Sequence, residues 1–385
     1  MTKKTPALRF ESLDALRGIA ALFIAFVHFP AIFLGADFGP LRHAYVLTNL
    51  FFGLSGFIIM SAYGERMTSW AACRDFSKQR LYRLIPLHAV TALAILAVPY
   101  VAYGSNLALT WVLTGSYAGD MPAFPNNWEH YMVHVLMLQG FGLIDQLVYN
   151  FPAWSMGAIF FCSILLALIL TIAPRLRAWW FAAIALGAWA IIALKSPNYM
   201  GATHDYGIFR ALTSYFLGAL TLLAWKRWRL KDGQERWALV WQSASVVVMF
   251  WFATWVGVNN PRSLLAPVVF ALFIWSFAHD NGDFARFLEH PLFKWLSTRS
   301  YSLFMNQALF LFIGLQAEEW IRNLQLNAWD GRVWGTVAGA LYLGLLLVVS
   351  DWTYKHIEQR FAPRKKPRAA VKAPNATQEP AAAKA

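Results

Sequence analysis

Three polar residues share one face of the first stretch of chain that is long and apolar enough for lipid, LDALRGIAALFIAFVHF, which runs from Leu13 to Phe29. At 100° per helical residue, the eleven-residue step from Arg17 to His28 returns to within about 20° of the same face, and Asp14 falls about 40° to the other side of His28. An imidazole exchanges protons near neutral pH, and an ionisable group at membrane depth marks a functional site by default. A histidine that a neighbouring helix satisfies is the structural alternative, and this helix alone does not separate the two.

The composition says what kind of protein must position these residues. Hydrophobic residues make up 58% of the 385 residues, charged residues only 14%, and the mean hydropathy is +0.44. A soluble domain cannot bury that much apolar surface, so we expect an integral membrane protein. The two cysteines, Cys73 and Cys162, fall in a predicted loop and a predicted helix, which argues against a disulfide and excludes a cysteine metal cluster.

Ten apolar segments approach the ~20 residues that a bilayer core requires. The segments are 18–35, 46–63, 84–103, 153–173, 179–195, 208–225, 237–257, 263–279, 301–321 and 332–353. If the N-terminus lies inside, only six of the 33 Lys and Arg residues fall in outside segments. That asymmetry follows the positive-inside rule and accounts for the net charge of +13, so nucleic-acid binding is disfavoured.

The predicted fold is therefore all-α, a polytopic membrane protein with about ten transmembrane helices and cytoplasmic N- and C-termini. Residues 1–355 form the membrane domain, and the first span is expected to be retained rather than cleaved. Residues 356–385, rich in Pro, Ala and Lys, are predicted to be a disordered basic cytoplasmic tail near anionic headgroups. The outside segment 104–152 contains a stretch that is too short to span, and inside segment 280–300 is amphipathic.

Several motifs occur in the order of a known family. The sequence resembles the membrane-bound acyltransferase 3 family, whose N-terminal signature is an Arg, ten residues and a His, here Arg17 and His28. The resemblance is collinear over roughly residues 10–355. The other matching blocks are NLFFGLSGFIIM (49–60), RLYRLIPLHAV (80–90), AWSMG (153–157), FRALTSYFLGAL (209–220) and STRSYSLFMNQALF (297–310).

Two positions depart from the family pattern. The family usually has a Glu shortly after its Trp-Ser element, where this chain has Ile159, and a His at the end of its ninth-helix motif, where this chain has Gln307. Each departure replaces an ionisable side chain with a neutral one. Either this branch does without those groups, or its activity is weakened or altered.

The resemblance implies transfer of an acyl group from cytoplasmic acyl-CoA, most simply acetyl-CoA, to a sugar hydroxyl on an extracytoplasmic glycan. A neutral imidazole within hydrogen-bond reach would take the hydroxyl proton, so His28 is the candidate general base, with a covalent acyl-His as the less favoured route. His28 is expected near the bilayer middle, and Arg17 about 16 Å lower, where it would hold a phosphate or the pantetheine side of CoA. Asp14 would orient Arg17 by an ion pair, or else Asp14 or Ser12 caps the first helix.

Four further blocks supply candidate contacts. Arg80 and Arg83 would place two guanidiniums at the inner interface for CoA phosphates, although a positive-inside anchor would look the same. In FFGLSGF the glycines suit close helix packing, whereas Ser55 could face the cavity.

At the outer end, Trp154 and Ser155 lie where a glycan would arrive, with an interfacial belt as the alternative role for Trp154. Arg210, at the outer end of the sixth span, is a candidate contact for the acceptor or the carbonyl. His130 and His134 have the i, i+4 spacing of a metal pair, but no third ligand is evident, and no metal is expected.

The leading functional prediction is a multi-pass O-acyltransferase of the bacterial inner membrane that acetylates a surface or exported polysaccharide, with succinyl transfer to periplasmic glucans as a close variant. The alternative class is a glycan or lipid transporter, or a catalytically silent relative. The Arg17–His28 stripe, the Arg80/Arg83 pair and the lack of a clear inverted repeat favour the enzyme, whereas Ile159 and Gln307 favour the silent relative. The expected partners are membrane lipids and the glycan acceptor, and the sequence leaves the oligomeric state open.

Overall fold

The computed structural model describes residues 8–29, 39–114, 128–147, 149–230, 235–323, 331–361 and 371–372, and over these it is almost entirely helical. Fourteen α-helices follow one another along these parts of the chain. They are α1 (Glu11–Val27), α2 (Gly39–Arg42), α3 (Leu47–Tyr63), α4 (Trp70–Thr114), α5 (Trp128–Val135), α6 (Ala153–Ile172), α7 (Arg177–Lys195), α8 (Gly207–Trp228), α9 (Glu235–Trp255), α10 (Ala266–Phe277), α11 (Asp283–Leu288), α12 (Pro291–Asn323), α13 (Gly331–Thr353) and α14 (Gln359–Phe361).

Short elements join or extend these helices. Three 3₁₀ turns cover Ala44–Val46, Tyr199–Gly201 and Pro261–Leu265, and a π-helical turn, Tyr354–Glu358, links α13 to α14. Two-residue strands at Leu8–Arg9 (β1) and Val371–Lys372 (β2) pair in parallel.

Seven of the described helices are long and apolar enough to cross a membrane, namely α3, α4, α6, α7, α8, α9 and α13. The other three segments predicted to span coincide with α1, with the 17-residue unit Pro261–Phe277 and with the 33-residue α12. Large apolar side chains point outward from the peripheral helices α7, α9 and α13, where Leu194, Val247 and Val348 are each at least two-thirds exposed. Such surfaces suit lipid rather than water. The all-helical prediction is confirmed, while ten spans and their sidedness stay predictions.

Helices α3, α6 and α8 form the interior, and glycines set the distance between α3 and α8. A Cβ atom at Gly56 would overlap the carbonyl oxygen of Tyr215, and one at Gly218 would overlap that of Gly53. Small residues let helix backbones approach closely in membranes, where no hydrophobic effect drives the helices together. The packing role predicted for the glycines of FFGLSGF is confirmed.

Helix α1 packs along α12 through the small-residue stripe that separates its polar residues. A Cβ at Gly18 would lie 2.7 Å from the backbone nitrogen of Ser297, and Ala21 and Ala25 are fully buried. The helix begins at Glu11 and ends at Val27, whereas the sequence predicted a span over 18–35. His28 is therefore the C-cap residue of α1, and residues 30–38 lie outside the described part of the chain.

The first turn of α1 is capped by a residue from a distant loop, not by Ser12 or Asp14. One carboxylate oxygen of Asp280 accepts from the backbone N–H of Ser12 (2.9 Å) and from its hydroxyl (2.5 Å), and the other accepts from the backbone N–H of Glu11 (3.0 Å). An anion at a helix N-terminus satisfies unpaired N–H groups and the helix dipole. The capping alternative predicted for Ser12 and Asp14 is therefore wrong.

Helix boundaries differ from the sequence prediction at three places. The predicted inside loop 64–83 is helical from Trp70 onward, so Arg80 and Arg83 lie within α4. The predicted loop 280–300 holds α11, and from Pro291 it already belongs to α12. Residues 356–361, assigned to the tail, continue α13 through the π-helical turn. Disorder of the remaining tail stays a prediction, because 362–370 and 373–385 lie outside the described residues.

Candidate active site

Five charged residues from three helices gather at the end of the bundle where α1 begins. We call Asp14, Arg17, Arg80, Arg83 and Glu358 the arginine cluster. The three guanidiniums lie close enough to one another to interact electrostatically, and Glu358 lies within the same range of Arg17. With three cations and two carboxylates, the cluster carries one excess positive charge.

Arg17 contacts Asp14 and the backbone of Ser297, but one nitrogen of its guanidinium has no hydrogen-bond partner among the described residues. Its Nη2 atom lies 3.5 Å from a carboxylate oxygen of Asp14 and donates to the carbonyl oxygen of Ser297 at 3.4 Å. Its Nε atom is buried without a hydrogen-bond partner among the described residues. The predicted ion pair between Asp14 and Arg17 is present, and Asp14 also lies 3.7 Å from Arg9.

Arg83 and Arg80 are one helical turn apart in α4, and they differ in whether a carboxylate pairs with them. Arg83 donates to a carboxylate oxygen of Glu358 at 3.0 Å, and the other oxygen of that carboxylate accepts from Ser302 at 3.0 Å. Arg80 has no carboxylate within ion-pair distance among the described residues, and its buried Nε atom has no hydrogen-bond partner there. Its guanidinium lies 5.7 Å from the ring centre of Phe76. Of the two, only Arg80 thus has a buried guanidinium nitrogen without a hydrogen-bond partner among the described residues.

A small pocket lies beside Asp14, between the start of α1, the end of α11 and the start of α12. Ser297 contributes to its wall, and the carbonyl of the same residue accepts from Arg17. The pocket therefore borders the arginine cluster at Asp14. Its lining residues are Arg9, Glu11, Asp14, Ala15, Leu288, Glu289, Lys294 and Ser297.

His28 lies at the opposite end of α1, roughly 16 Å along the axis from Arg17. Its Nδ1 atom is 3.2 Å from the side-chain oxygen of Gln307, which is fully buried on α12. The ring of Phe151 meets the imidazole edge to face, with centroids 5.0 Å apart. His28 itself is half-buried. The position at which this chain departs from the family's His thus contacts His28 directly.

Arg210, predicted to contact the acceptor, is part of a different arrangement. Its side chain is 2% exposed and donates to the carbonyl oxygens of Ala202 (3.0 Å) and Tyr45 (2.9 Å) and to the side-chain oxygen of Asn49 (3.2 Å). The guanidinium lies 5.6 Å from the ring centre of Trp154. We call this group the Arg210 clamp, because it ties α8 to the segments around Tyr45 and Ala202.

The remaining predicted contacts are also engaged with the protein itself. Trp154 is 6% exposed, and a Cβ at Gly207 would lie 2.8 Å from its ring, so no open face is available to stack on a sugar. The hydroxyl of Ser155 donates to the carbonyl of Pro152 at 3.0 Å, and that of Ser55 donates to Phe51 at 2.8 Å. The structure does not bring these three residues together with His28.

His130 and His134, the pair considered for metal, are both buried on α5. His130 is 2.8 Å from Asp145, and the ring of His134 lies tilted by 32° against that of His88, with centroids 4.6 Å apart. Burial, reinforced by the neighbouring His88, lowers the pKa of His134 to about 3. Among the described residues, no group of three or more His, Cys, Asp or Glu side chains is arranged to hold a metal ion.

Sequence reasoning missed two carboxylates and one aromatic ring of this architecture. Glu358 was assigned to the tail, although Ile357 and Phe361 continue an apolar helical spacing that favours a longer helix. Asp280 reaches the start of α1 from 268 residues away, and no local pattern signals such a contact. Phe151 precedes the Trp-Ser block and carries no signal of its own.

Comparison with known proteins places the chain in a family. A family model described as an acyltransferase domain matches residues 10–355. A stretch of 99 residues is 40% identical to "Protein 2 in picA locus" of Rhizobium radiobacter, covering 26% of this chain and 49% of that relative. The aligned part thus spans about half the length of that relative. No solved structure matches the chain. Since the family model covers most of the sequence, the chain belongs to the membrane-bound acyltransferase 3 family and is a multi-pass membrane protein.

Proposed function

We propose that the protein is an O-acyltransferase of the bacterial inner membrane that moves an acetyl group from cytoplasmic acyl-CoA to a hydroxyl of an extracytoplasmic polysaccharide. His28 acts as general base, and Arg17 and Arg80 bind the donor. Membership of the family supports acyl transfer. The residues at the two ends of α1 support the assignment of the donor site and of the general base.

The observation that carries the proposal is that one helix joins two unlike sites. Its first turns hold Arg17 in the positively charged arginine cluster, and its C-cap is a half-buried imidazole. A phosphate-bearing donor and a hydroxyl acceptor need such different environments. The roughly 16 Å between them along α1 is comparable to the reach of a pantetheine arm.

In the proposed reaction, the acceptor hydroxyl gives its proton to His28 while its oxygen attacks the thioester carbonyl. The C–O bond forms, the C–S bond breaks, and the proton on His28 passes to the departing thiolate. The products are the ester and CoA thiol, so no further reactant is needed. A general base of this kind contributes about 10²- to 10⁴-fold to the rate.

Donor binding follows from the difference between Arg80 and Arg83. Glu358 already neutralises Arg83, whereas Arg80 has a buried Nε atom without a hydrogen-bond partner among the described residues. Guanidinium groups bind phosphate oxygens with two parallel hydrogen bonds, so we assign a CoA phosphate to Arg80 with support from Arg17. Asp14 positions Arg17 through their ion pair.

The test is release of CoA thiol from acetyl-CoA by the purified full chain in nanodiscs, with and without crude surface glycan. We expect glycan-stimulated release that His28→Ala abolishes. The matched control is His356→Ala, because His356 is exposed and stacks on Trp352. Loss of release in both variants, or in neither, would overturn the role of His28.

A second candidate function is a catalytically silent relative that binds a glycan or lipid. Ile159 favours it, because the position of the family's Glu holds a buried, apolar side chain here. No release above background from acetyl-CoA or succinyl-CoA, by a protein that remains folded, would support this candidate. Release that rises in Ile159→Glu would instead show an enzyme limited by the missing carboxylate.

A further inference from the structure

We propose that Gln307 is a positioning residue that fixes which nitrogen of His28 is the base. By accepting a hydrogen bond from Nδ1–H, the neutral amide leaves the lone pair of Nε2 free to face the hydroxyl. This inference rests on the proposed function for its catalytic meaning. The hydrogen-bond arrangement itself is independent of that function.

The contact is specific to one ring nitrogen. Nδ1 of His28 lies 3.2 Å from Oε1 of Gln307, and Nε2 of the same amide has no hydrogen-bond partner among the described residues. Because an amide oxygen accepts, this orientation of the amide assigns the proton to Nδ1. In a neutral imidazole, protonation of Nδ1 makes Nε2 the acceptor.

Gln307 is well placed to impose this tautomer because its part of α12 is held on both sides. The carbonyl of Met305 accepts from the side chain of Asn150 at 3.0 Å, and Asn306 donates to Thr353 at 2.8 Å. Gln307 is fully buried, so water does not compete for its oxygen. A rigid, dry acceptor orients a catalytic imidazole better than a mobile one.

A neutral acceptor also suits the charge that His28 acquires. When Nε2 takes the proton, both ring nitrogens become donors, and the bond from Nδ1–H to Gln307 becomes charge-assisted. The amide thus stabilises the imidazolium without introducing a second buried charge. In this chain the amide takes over the orientation of His28 at the position where the family usually has a His.

The decisive measurement is the tautomer of His28, read from ¹⁵N chemical shifts in the full chain labelled with ¹⁵N-histidine in nanodiscs. The difference between wild type and His28→Ala identifies its signals. We expect a protonated Nδ1 and an unprotonated Nε2 in wild type, and a loss of this preference in Gln307→Leu. An amide turned by 180° would donate to Nδ1 and give the opposite tautomer, and that result would overturn the proposal.

The matched control is Gln242→Leu, which removes another fully buried amide, one that donates to the carbonyl of Asn281. It must leave the His28 tautomer unchanged. A shift in Gln242→Leu equal to that in Gln307→Leu would show a general loss of packing and contradict the proposal.

Kinetics give the second readout. Gln307→Leu should lower kcat by about 100-fold with KM for the donor within about twofold, because orientation of the base is lost while donor binding is not. Gln307→Glu keeps the acceptor and adds a charge, so the acid limb of the pH–rate profile should move to higher pH by about one unit or more. Unchanged kcat in Gln307→Leu would overturn the positioning role. Absence of turnover in wild type would count against the proposed function alone, since the tautomer is measured without turnover.

Discussion

The arginine cluster and the Arg210 clamp each contain a buried arginine nitrogen, but the hydrogen-bond partners of the two arginines differ. In the clamp, the guanidinium of Arg210 donates to three oxygens of its own chain and lies near the ring of Trp154. In the cluster, Arg80 has a buried nitrogen without a hydrogen-bond partner among the described residues. Burial alone would rank Arg210 as the more notable residue.

The two arginines differ in the hydrogen-bond partners of their guanidinium groups. Buried polar groups in folded proteins are almost always paired, so an unpaired donor indicates a missing partner. Arg210 has its partners, and its role is to hold segments together. Arg80 lacks a partner at Nε among the described residues, and in the proposed function an anionic donor binds its guanidinium. Each variant below tests one side of this comparison.

The largest expected effect is on the cluster side. Arg80→Gln should reduce kcat/KM for acetyl-CoA by about 100-fold, because the phosphate loses a charge-assisted partner, while the unfolding temperature stays near wild type. The check is steady-state kinetics with acetyl-CoA and with a short acetyl thioester that lacks the nucleotide. An equal loss with the short donor would mean that Arg80 does not act on the CoA phosphates.

The next effect is on the clamp side and concerns stability. Arg210→Gln leaves the carbonyls of Ala202 and Tyr45 and the amide of Asn49 short of donors, which should cost about 2 to 3 kcal/mol of unfolding free energy. Thermal denaturation in detergent measures this loss. Folded variant protein should retain activity within a few-fold at low temperature. A stable but inactive Arg210→Gln would assign Arg210 to the active site and break the comparison.

A smaller effect is expected for the ion pair between Glu358 and Arg83 within the arginine cluster. Glu358→Gln removes the charge that neutralises Arg83 but keeps a hydrogen-bonding group for Ser302. Arg83 is 43% exposed and can be hydrated, so the loss in unfolding free energy should be only about 1 kcal/mol. The added positive charge should tighten inhibition by free CoA several-fold, measured by competition against acetyl-CoA. Weaker inhibition would show that Glu358 shapes the donor site by other means.

The smallest effect at neutral pH comes from His134, near the end of α5. Its pKa is about 3 in the folded protein, against an ordinary value near 6.5, because burial disfavours its charged form. The unfolded chain therefore takes up the proton first, and stability falls as the pH drops from about 6.5 toward about 3. His134→Gln should flatten this part of the curve of unfolding temperature against pH. An unchanged curve would exclude His134 as its cause.

Sequence alone predicted the parts of the site that depend on the spacing of residues within one helix. The eleven-residue step from Arg17 to His28 and the i, i+3 spacing of Arg80 and Arg83 are local patterns. The structure places Arg17 in α1, His28 at the C-cap of the same helix, and Arg80 and Arg83 in α4. The glycines of α3 were likewise interpreted correctly as packing residues.

What the sequence could not predict depends on contacts between distant segments. The saturation of Arg210 rests on two backbone carbonyls whose positions follow only from the fold. The contact of Gln307 with His28 joins residues 279 positions apart, so the sequence identified the departure from the family but not its neighbour. Glu358 was missed because a basic, Pro-rich tail follows it closely and masks the end of the helix.

The cap that Asp280 places on α1 has a consequence for biosynthesis. The helix with Arg17 and His28 is made first, but the carboxylate that satisfies its first N–H groups is synthesised 268 residues later. During membrane insertion, α1 therefore remains without this cap until Asp280, which follows α10, has left the ribosome. A nascent chain that stops before that point contains Arg17 and His28 but not the carboxylate that caps their helix. The capped form of α1 can therefore arise only after Asp280 has been synthesised.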